Sequence, residues 1–440
     1  MDLKLIVNNY KGKLTGHNKE LVFDSVFAII IRVGAAISSF IMNLVIARQL
    51  GTYNSGNFFL SFAVITVLAT FMRMGGDNLL VRYVGIYGSE KKWKTIKLIV
   101  SQVGKRTLVF SIIVTALLVL FHTFIAKGVF HKENLSSTLF WMLLSTPLLA
   151  LYTLLSYAFQ GLKKVLLSVS IQNILVPITL SILVFIIRPA TSEKAAELYF
   201  AASLLTVIIT LILWSRIVRK PEQSEEAKLP EHIWKSSYAL WSFAIVQMAM
   251  QWGGQFMAGI FCTQKQVAQL AVAQRTSMLI SFILIAINLV SAPRFASLYK
   301  QGQLKNLKKY AINSTRLMVV FSTPIVLLII CFPTLIMSLF GKGFEAGAPM
   351  LVVLSLGQFI NVLTGSVTLL LMMSGHEKDT RNIQIITGIL GSILNYFLIK
   401  YYGAFGAAVG TALAISAQNL ICVGMVKRRL GFNTMAIFSK

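Results

Sequence analysis

The sequence predicts an all-α integral membrane protein, with about twelve transmembrane helices in two six-helix lobes around a central cavity. Composition is the first ground. Of 440 residues, 56% are hydrophobic and 13% charged, about half the charged share of a soluble domain, and the mean hydropathy is +0.73. The second is repetition: apolar runs of about 20 residues recur, each long enough to cross roughly 30 Å of hydrocarbon. The third is charge placement, because the lysines and arginines fall in short clusters between those runs.

Taken in order, the runs place spans at 22–47, 57–85, 107–127, 138–160, 165–188, 197–218, 236–262, 267–293, 313–340, 347–374, 382–400 and 404–426. The first run is too long for a signal-peptide core and no cleavage site follows it, so it is expected to stay as the first span. A polar tail (1–21) precedes it. The longest polar stretch, "RKPEQSEEAKLPEHIWK" (219–235), separates a first lobe (22–218) from a second (236–427), and a basic tail (428–440) follows. Two halves of similar length suggest a duplication about an axis along the membrane normal. An ungapped shift of 212 residues pairs Arg82 with Arg294, Tyr87 with Tyr299 and Lys97 with Lys309, identities no better than chance. Organisation recurs more clearly: in each half the first two spans share a short outer loop, and a basic inner loop follows.

The same loops give the orientation. With the N-terminus inside, 30 lysines and arginines lie on inner segments and 8 on outer ones. That bias places both termini in the cytoplasm. It also accounts for most of the net charge of +26 without nucleic acid. Cys262, Cys331 and Cys422 lie in apolar runs with no metal or disulfide spacing. No paired carboxylates in an outer loop, P-loop, GxSxG or HExxH occur, so an enzyme is not expected, nor a cofactor. With no nucleotide site, coupling falls to an H+ or Na+ gradient or to the substrate's own imbalance.

Three arginines remain inside the spans. Arg32 lies about 15 Å into the first at 1.5 Å per residue, Arg73 in the inner half of the second, and Arg275 in the outer half of the eighth. Charge facing lipid at such depth costs several kcal/mol, so these side chains are expected to face protein or water. "TFMRMGGDNLLVR" (70–82) sets Arg73 four residues before Asp77. Either the two neutralise each other for packing, or Asp77 holds Arg73 ready for an anion. Arg32 has no such neighbour and is assigned to the cavity. Arg82 reads as an interfacial anchor, and Gly75 and Gly76 would admit a close neighbouring helix. The second half is polar in another way. Gln247, Gln251 and Gln255 form a stripe on the seventh span, and Gln269, Gln274 and Arg275 follow on the eighth. Such amides either meet sugar hydroxyls or tie helices together. The expected cavity residues are therefore Arg32, Arg73, Asp77, Gln251, Gln255, Gln274 and Arg275. His122, Gln172/Asn173, Gln358/Asn361 and Asn395 read as packing or interhelical hydrogen bonds, and Pro147, Pro177, Pro324 and Pro333 as kinks.

Two stretches carry a resemblance: "NLVIARQLGTYNSGNFFLSFAVI" (43–65), and "LFGKGFEAGAPMLVVLSLGQFINVLTGSVTLLLMMSGHEKDTRN" (339–382) followed by "LNYFLIKYYGAFGAAVGTALA" (394–414). They resemble the polysaccharide flippases that move O-antigen, teichuronic acid or related units, in the superfamily that also holds multidrug and toxic-compound extrusion proteins. The resemblance implies transfer of an undecaprenyl-diphosphate-linked oligosaccharide to the outer leaflet by alternating access. It implies membrane lipids and polysaccharide polymerase or assembly proteins as partners. Buried arginines suit a phosphate or acidic sugar, and amides suit hydroxyls. A cation-coupled drug exporter of the same superfamily is the alternative, and three arginines against one carboxylate argue against it. An integral-membrane polysaccharide enzyme is a second alternative, which the short outer loops disfavour. A structural scaffold is a third, and it would tolerate Arg32→Ala.

Overall fold

The computed structural model describes residues 16–218, 251–435 and positions 241, 245 and 248, with side chains from residue 31. The linker 219–235, Gln247 and most of both tails lie outside these residues. Every long element is a helix: α1 (Gly16–Met72), α2 (Gly76–Ser89), α3 (Trp93–Leu120), α4 (Ser136–Gly161), α5 (Val165–Ile187), α6 (Ser192–Ile217), α7 (251–261), α8 (Gln264–Lys300), α9 (Leu304–Cys331), α10 (Ala348–Thr364), α11 (Val367–Met373) and α12 (Glu377–Leu430).

Among the described residues, nine helices are long and apolar enough to cross a membrane. Two are far longer than one crossing needs. α1 has 57 residues and α12 has 54, about 80 Å each at 1.5 Å per residue. Each bends once, at Gly51 (φ 66°, ψ 179°) and Gly403 (φ 58°, ψ −140°), in backbone regions that a residue with a Cβ avoids. Each bent helix therefore crosses twice. Counted so, the nine helices make eleven crossings among the described residues, and α7 ends a seventh span read from residue 236, in keeping with about twelve helices in two lobes. Lipid-facing surface is correspondingly apolar: Phe185 and Ile186 on α5 are 69% and 70% exposed.

Where the structure describes them, the spans read from the sequence overlap these helices but depart from them at four places, one being the tenth, which is broken at Gly365 (φ 73°) between α10 and α11. The third helix begins at Trp93 rather than 107, because Lys94, Lys97, Lys105 and Arg106 ride on a helix whose other face (Ile96, Ile99, Val100, Val103) is buried. The second span is interrupted: α1 stops at Met72 and α2 restarts at Gly76. The ninth ends at Cys331, and Pro333 opens a separate short helix, Pro333–Ser338, instead of kinking a longer one. Pro147 and Pro324 do lie inside helices, and Pro177 follows a π-turn at Ile171–Leu175.

The duplication is visible in the backbone. Positive φ recurs at Lys91, His131 and Lys163 in the first lobe and at Gly302, Gly343 and Gly375 in the second. Partners are 211 or 212 residues apart, the shift that gave no significant identity.

The two ends of the bundle differ. At the end holding Gly51 and Gly403, one apolar core joins both lobes, with Ile46, Phe58 and Phe59 beside Val267, Ala271, Phe340 and Phe344. At the opposite, basic end each lobe has its own core. Leu79, Val84, Ile99 and Leu154 form one, and Phe295, Leu370, Cys422 and Val426 the other. A shared apolar core thus closes the lobes on each other along a seam at one end, while at the other the described contact between them is Trp241, whose Nε1 donates to the Phe71 carbonyl at 2.8 Å.

Candidate functional site: an amide-walled cavity beside a cationic seam

The second lobe encloses a cavity of about 470 Å³, within the range of small-molecule sites. Eight amide side chains reach its wall: Gln251 on α7, Gln274 on α8, Gln358 and Asn361 on α10, Gln384 and Asn395 before the α12 bend, and Gln418 and Asn419 after it. Serine and threonine hydroxyls (Ser281, Thr368, Thr387, Ser392, Thr411) stand between them. No charged side chain is part of the lining. Gln274 sits ten residues into α8, about 15 Å at 1.5 Å per residue, so the cavity lies at mid-membrane depth.

Local sequence explains why these amides converge. On α12, Gln384, Gly388, Gly391 and Asn395 follow at i, i+4, i+7 and i+11, one helix face. Glycines on that face let the next limb in close: a Cβ on Gly391 would meet Ala414 at 2.8 Å. Some amides already have partners. Gln358 accepts from the Ser281 hydroxyl. The Asn395 carbonyl oxygen is buried with no hydrogen-bond partner among the described residues, an acceptor facing no donor.

The other expected residues stand elsewhere. Arg73 donates through Nε to both Asp77 oxygens, at 2.7 and 2.9 Å, and through a terminal nitrogen to Thr70 Oγ1 at 3.1 Å. The pair spans the break between α1 and α2, with the cation at a helix C-terminus and the anion in a first turn, both favourable for the helix dipoles. Gly75 takes the left-handed N-cap (φ 74°). Gly76 is where α4 comes close, since a Cβ there would lie 2.8 Å from Leu154. Arg32 is half-buried and makes no ion pair or hydrogen bond among the described residues.

Arg275 and Gln255 lie in the seam. Arg275 donates to Asn43 Oδ1 at 2.5 Å. Its guanidinium lies 4.3 Å from the Phe59 ring centre and 5.4 Å from that of Phe62, a cation–π arrangement. Its second terminal nitrogen is buried without an acceptor. Gln255 Nε2 donates to the Phe59 carbonyl across the lobes at 3.2 Å. Two further cations cross the seam from the first lobe: Arg48 donates to the Leu339 carbonyl and Lys132 to that of Gly259, near the end of α7. Burial pushes the Lys132 ammonium below the ordinary lysine range. None of Arg48, Lys132 and Arg275 pairs with a carboxylate among the described residues. Sequence reasoning passed over Arg48 and Lys132 because both sit in outer turns and read as solvated.

With this geometry in place, likeness to known proteins is informative. Residues 22–299 match the family described as polysaccharide biosynthesis protein, well over half of the chain. The chain belongs to that family. Residues 243–397, overlapping the end of that match and running past it, also match the MatE description. An uncharacterized membrane protein of Methanocaldococcus jannaschii is 22% identical over 396 residues, covering 86% of this chain and 78% of its own. The "Probable low-salt glycan biosynthesis flippase Agl15" of Haloferax volcanii is 26% identical over 235 residues, 50% of this chain and 47% of its own. Among solved structures, lipid II flippase MurJ in an inward closed conformation superposes with a TM-score of 0.74 at 14% identity, over 91% of this chain and 87% of that one. This member of the polysaccharide biosynthesis family is therefore a multi-pass membrane protein with the fold shared by MurJ and the multidrug transporters.

Proposed function

We propose that this protein flips a lipid-linked oligosaccharide from the cytoplasmic to the outer leaflet for cell-surface polysaccharide assembly. The carrier is an undecaprenyl-diphosphate-type lipid, the membrane the bacterial inner membrane, and both termini are cytoplasmic. One observation supports it most: a mid-membrane cavity walled by eight amides and no charge. Amides both donate and accept, which matches sugar hydroxyls. A cationic drug would find no carboxylate in that wall, which disfavours the exporter reading. Arg32 and the seam arginine Arg275 are assigned to the anionic part of the substrate, reached as the lobes rearrange, and Arg73 with Asp77 to the same inner route. The chain supplies no catalytic set, so the substrate leaves chemically unchanged.

The test is sidedness. Purified protein in liposomes is expected to change the leaflet of a lipid-linked oligosaccharide without extending or cleaving it. Gln274→Leu combined with Asn395→Leu removes two hydrogen-bonding groups from the wall. At roughly 1 kcal/mol each, flipping at subsaturating substrate is expected to fall by about thirtyfold. Unchanged flipping in that variant, or diphosphate cleavage by the pure protein, would overturn the reading.

Orientation is checked separately. Asn134 and Lys342 are exposed at the seam end, and Ser224 belongs to the linker. Cysteines at the first two positions should react with an impermeant reagent applied to intact cells, and one at Ser224 should not. Labelling at Ser224 would reverse the topology.

A further inference from the structure

One turn is built four times at the basic end. Each time a helix closes in a Schellman motif, the next residue takes a positive φ, and the one after it caps the following helix. In the second lobe the positive-φ residues are Gly302 (φ 69°) and Gly375 (φ 78°). Their N–H groups donate to Tyr299 and Met372, and those of Gln303 and His376 to Leu298 and Leu371. In the first lobe the same bonds run from Lys91 to Gly88, Lys92 to Tyr87, Lys163 to Gln160 and Lys164 to Phe159. Here the positive-φ residues are lysines, Lys91 (φ 58°) and Lys163 (φ 61°).

Glycine suits this turn and a residue with a Cβ does not. The second lobe shows that the turn itself asks for nothing more than glycine. The first lobe keeps a strained lysine at both places, so the reason lies in the side chains. Both line one cavity of about 510 Å³, formed where the connections α2–α3 and α4–α5 meet the end of α6 at Ile217. Lys164 and the half-buried Trp93 line it as well. Lys91, Lys163 and Lys164 have no ion pair or hydrogen bond from their side chains among the described residues, and no carboxylate lines the cavity. Exposed Ile86 and Leu166 lie beside the rim, and α3 continues from it with an exposed apolar face, Leu108, Val109 and Ile112.

We propose that this cavity binds the phosphate headgroup of an anionic membrane lipid. Three free ammonium groups supply the charge, as basic pockets at helix ends do for acidic lipids. Trp93 suits the interface, and the apolar faces of α3 and α5 run alongside the acyl chains. The site is separate from the amide-walled cavity and from the seam.

The test uses the full-length protein in detergent, titrated with phosphatidylglycerol, phosphatidylcholine or pyrophosphate and read by native mass spectrometry. Wild type is expected to retain phosphatidylglycerol in preference to phosphatidylcholine, and pyrophosphate at equal concentration should not displace it. Lys91→Gly/Lys163→Gly installs the residue that the second lobe uses. Its thermal midpoint is expected to hold or rise, while retention of phosphatidylglycerol falls about tenfold or more for the lost charged contacts. Lys164→Gln, which leaves the turn intact, is expected to weaken retention in the same direction. Unchanged retention in the double-glycine variant would overturn the site, as would equal retention of phosphatidylcholine. Displacement by pyrophosphate would make it a soluble-phosphate site instead. Binding that emerges only after Glu222, Glu225 and Glu226 are changed to glutamine would assign the cavity to the chain's own linker, and also overturn it.

Discussion

Arg73→Ala is expected to destabilise the protein by about 3–5 kcal/mol, because it leaves the Asp77 carboxylate inside the bundle without its counterion. Arg73 is 7% exposed, and both Asp77 oxygens accept from its Nε. The loss is concentrated where α1 stops and α2 begins, so the first lobe's basic-end core is expected to loosen with it. Arg73→Ala/Asp77→Ala removes both charges and should recover most of the stability, read as the thermal midpoint in detergent and as the amount reaching the membrane. Flipping then separates the two roles of the pair. If it only balances itself, the double variant flips better than Arg73→Ala. If Arg73 also meets the substrate anion, the double variant is stable and still slow. A double variant less stable than the single one would remove the ion-pair account.

The second large effect is expected at Gly56→Ala. A Cβ at Gly56 would stand 2.1 Å from the carbonyl oxygen of Gln264. The clash is with backbone across the two lobes, so no rotamer change relieves it. Overpacking of this kind costs roughly 1–3 kcal/mol or more, and the cost falls only on the state in which the seam is closed. The population should therefore move toward the seam-open state, by about tenfold for each 1.4 kcal/mol. Cys262 reports it. That thiol is buried at the seam, so its alkylation should speed up in Gly56→Ala in a Cys331→Ser/Cys422→Ser background. Unchanged reactivity in a folded variant would show that the approach of α1 to α8 does not hold the seam.

The span pattern was legible because the bilayer imposes it: apolar length and basic flanks are properties of local sequence. Where reading failed, the missing information was three-dimensional. The start of α3 was hidden because its buried residues alternate with lysines, and a helix that snorkels its charge looks polar in a window. The Arg73–Asp77 spacing was legible, but not the break between the two residues, which depends on Met74 and Gly75 adopting positive φ. Gln251 and Gln274 were expected at the cavity and line it. Gln358, Asn361 and Asn395 were set aside as helix ties, and Gln384, Gln418 and Asn419 were not considered. A single amide reads the same whether it ties two helices or faces a cavity. The 3.6-residue spacing of Gln384, Gly388, Gly391 and Asn395 was the available signal. The duplication eluded an identity test because it resides in backbone dihedrals, with Lys, His and Lys in one lobe answered by Gly in the other.

The seam has an electrical consequence. Arg48, Lys132 and Arg275 fasten it through carbonyls, an amide oxygen and aromatic rings, so the gate itself carries positive charge. A full unit charge crossing the membrane exchanges about 2.3 kcal/mol with a potential of 100 mV, and a charge that moves part of the way exchanges its share. In the orientation proposed above, with the basic end cytoplasmic, a potential negative inside would draw these cations inward and oppose opening of the seam. The anionic cargo proposed above, leaving with them, would offset their charge, so a loaded seam would open against less voltage than an empty one. An energised membrane would thereby suppress futile opening without any separate sensor.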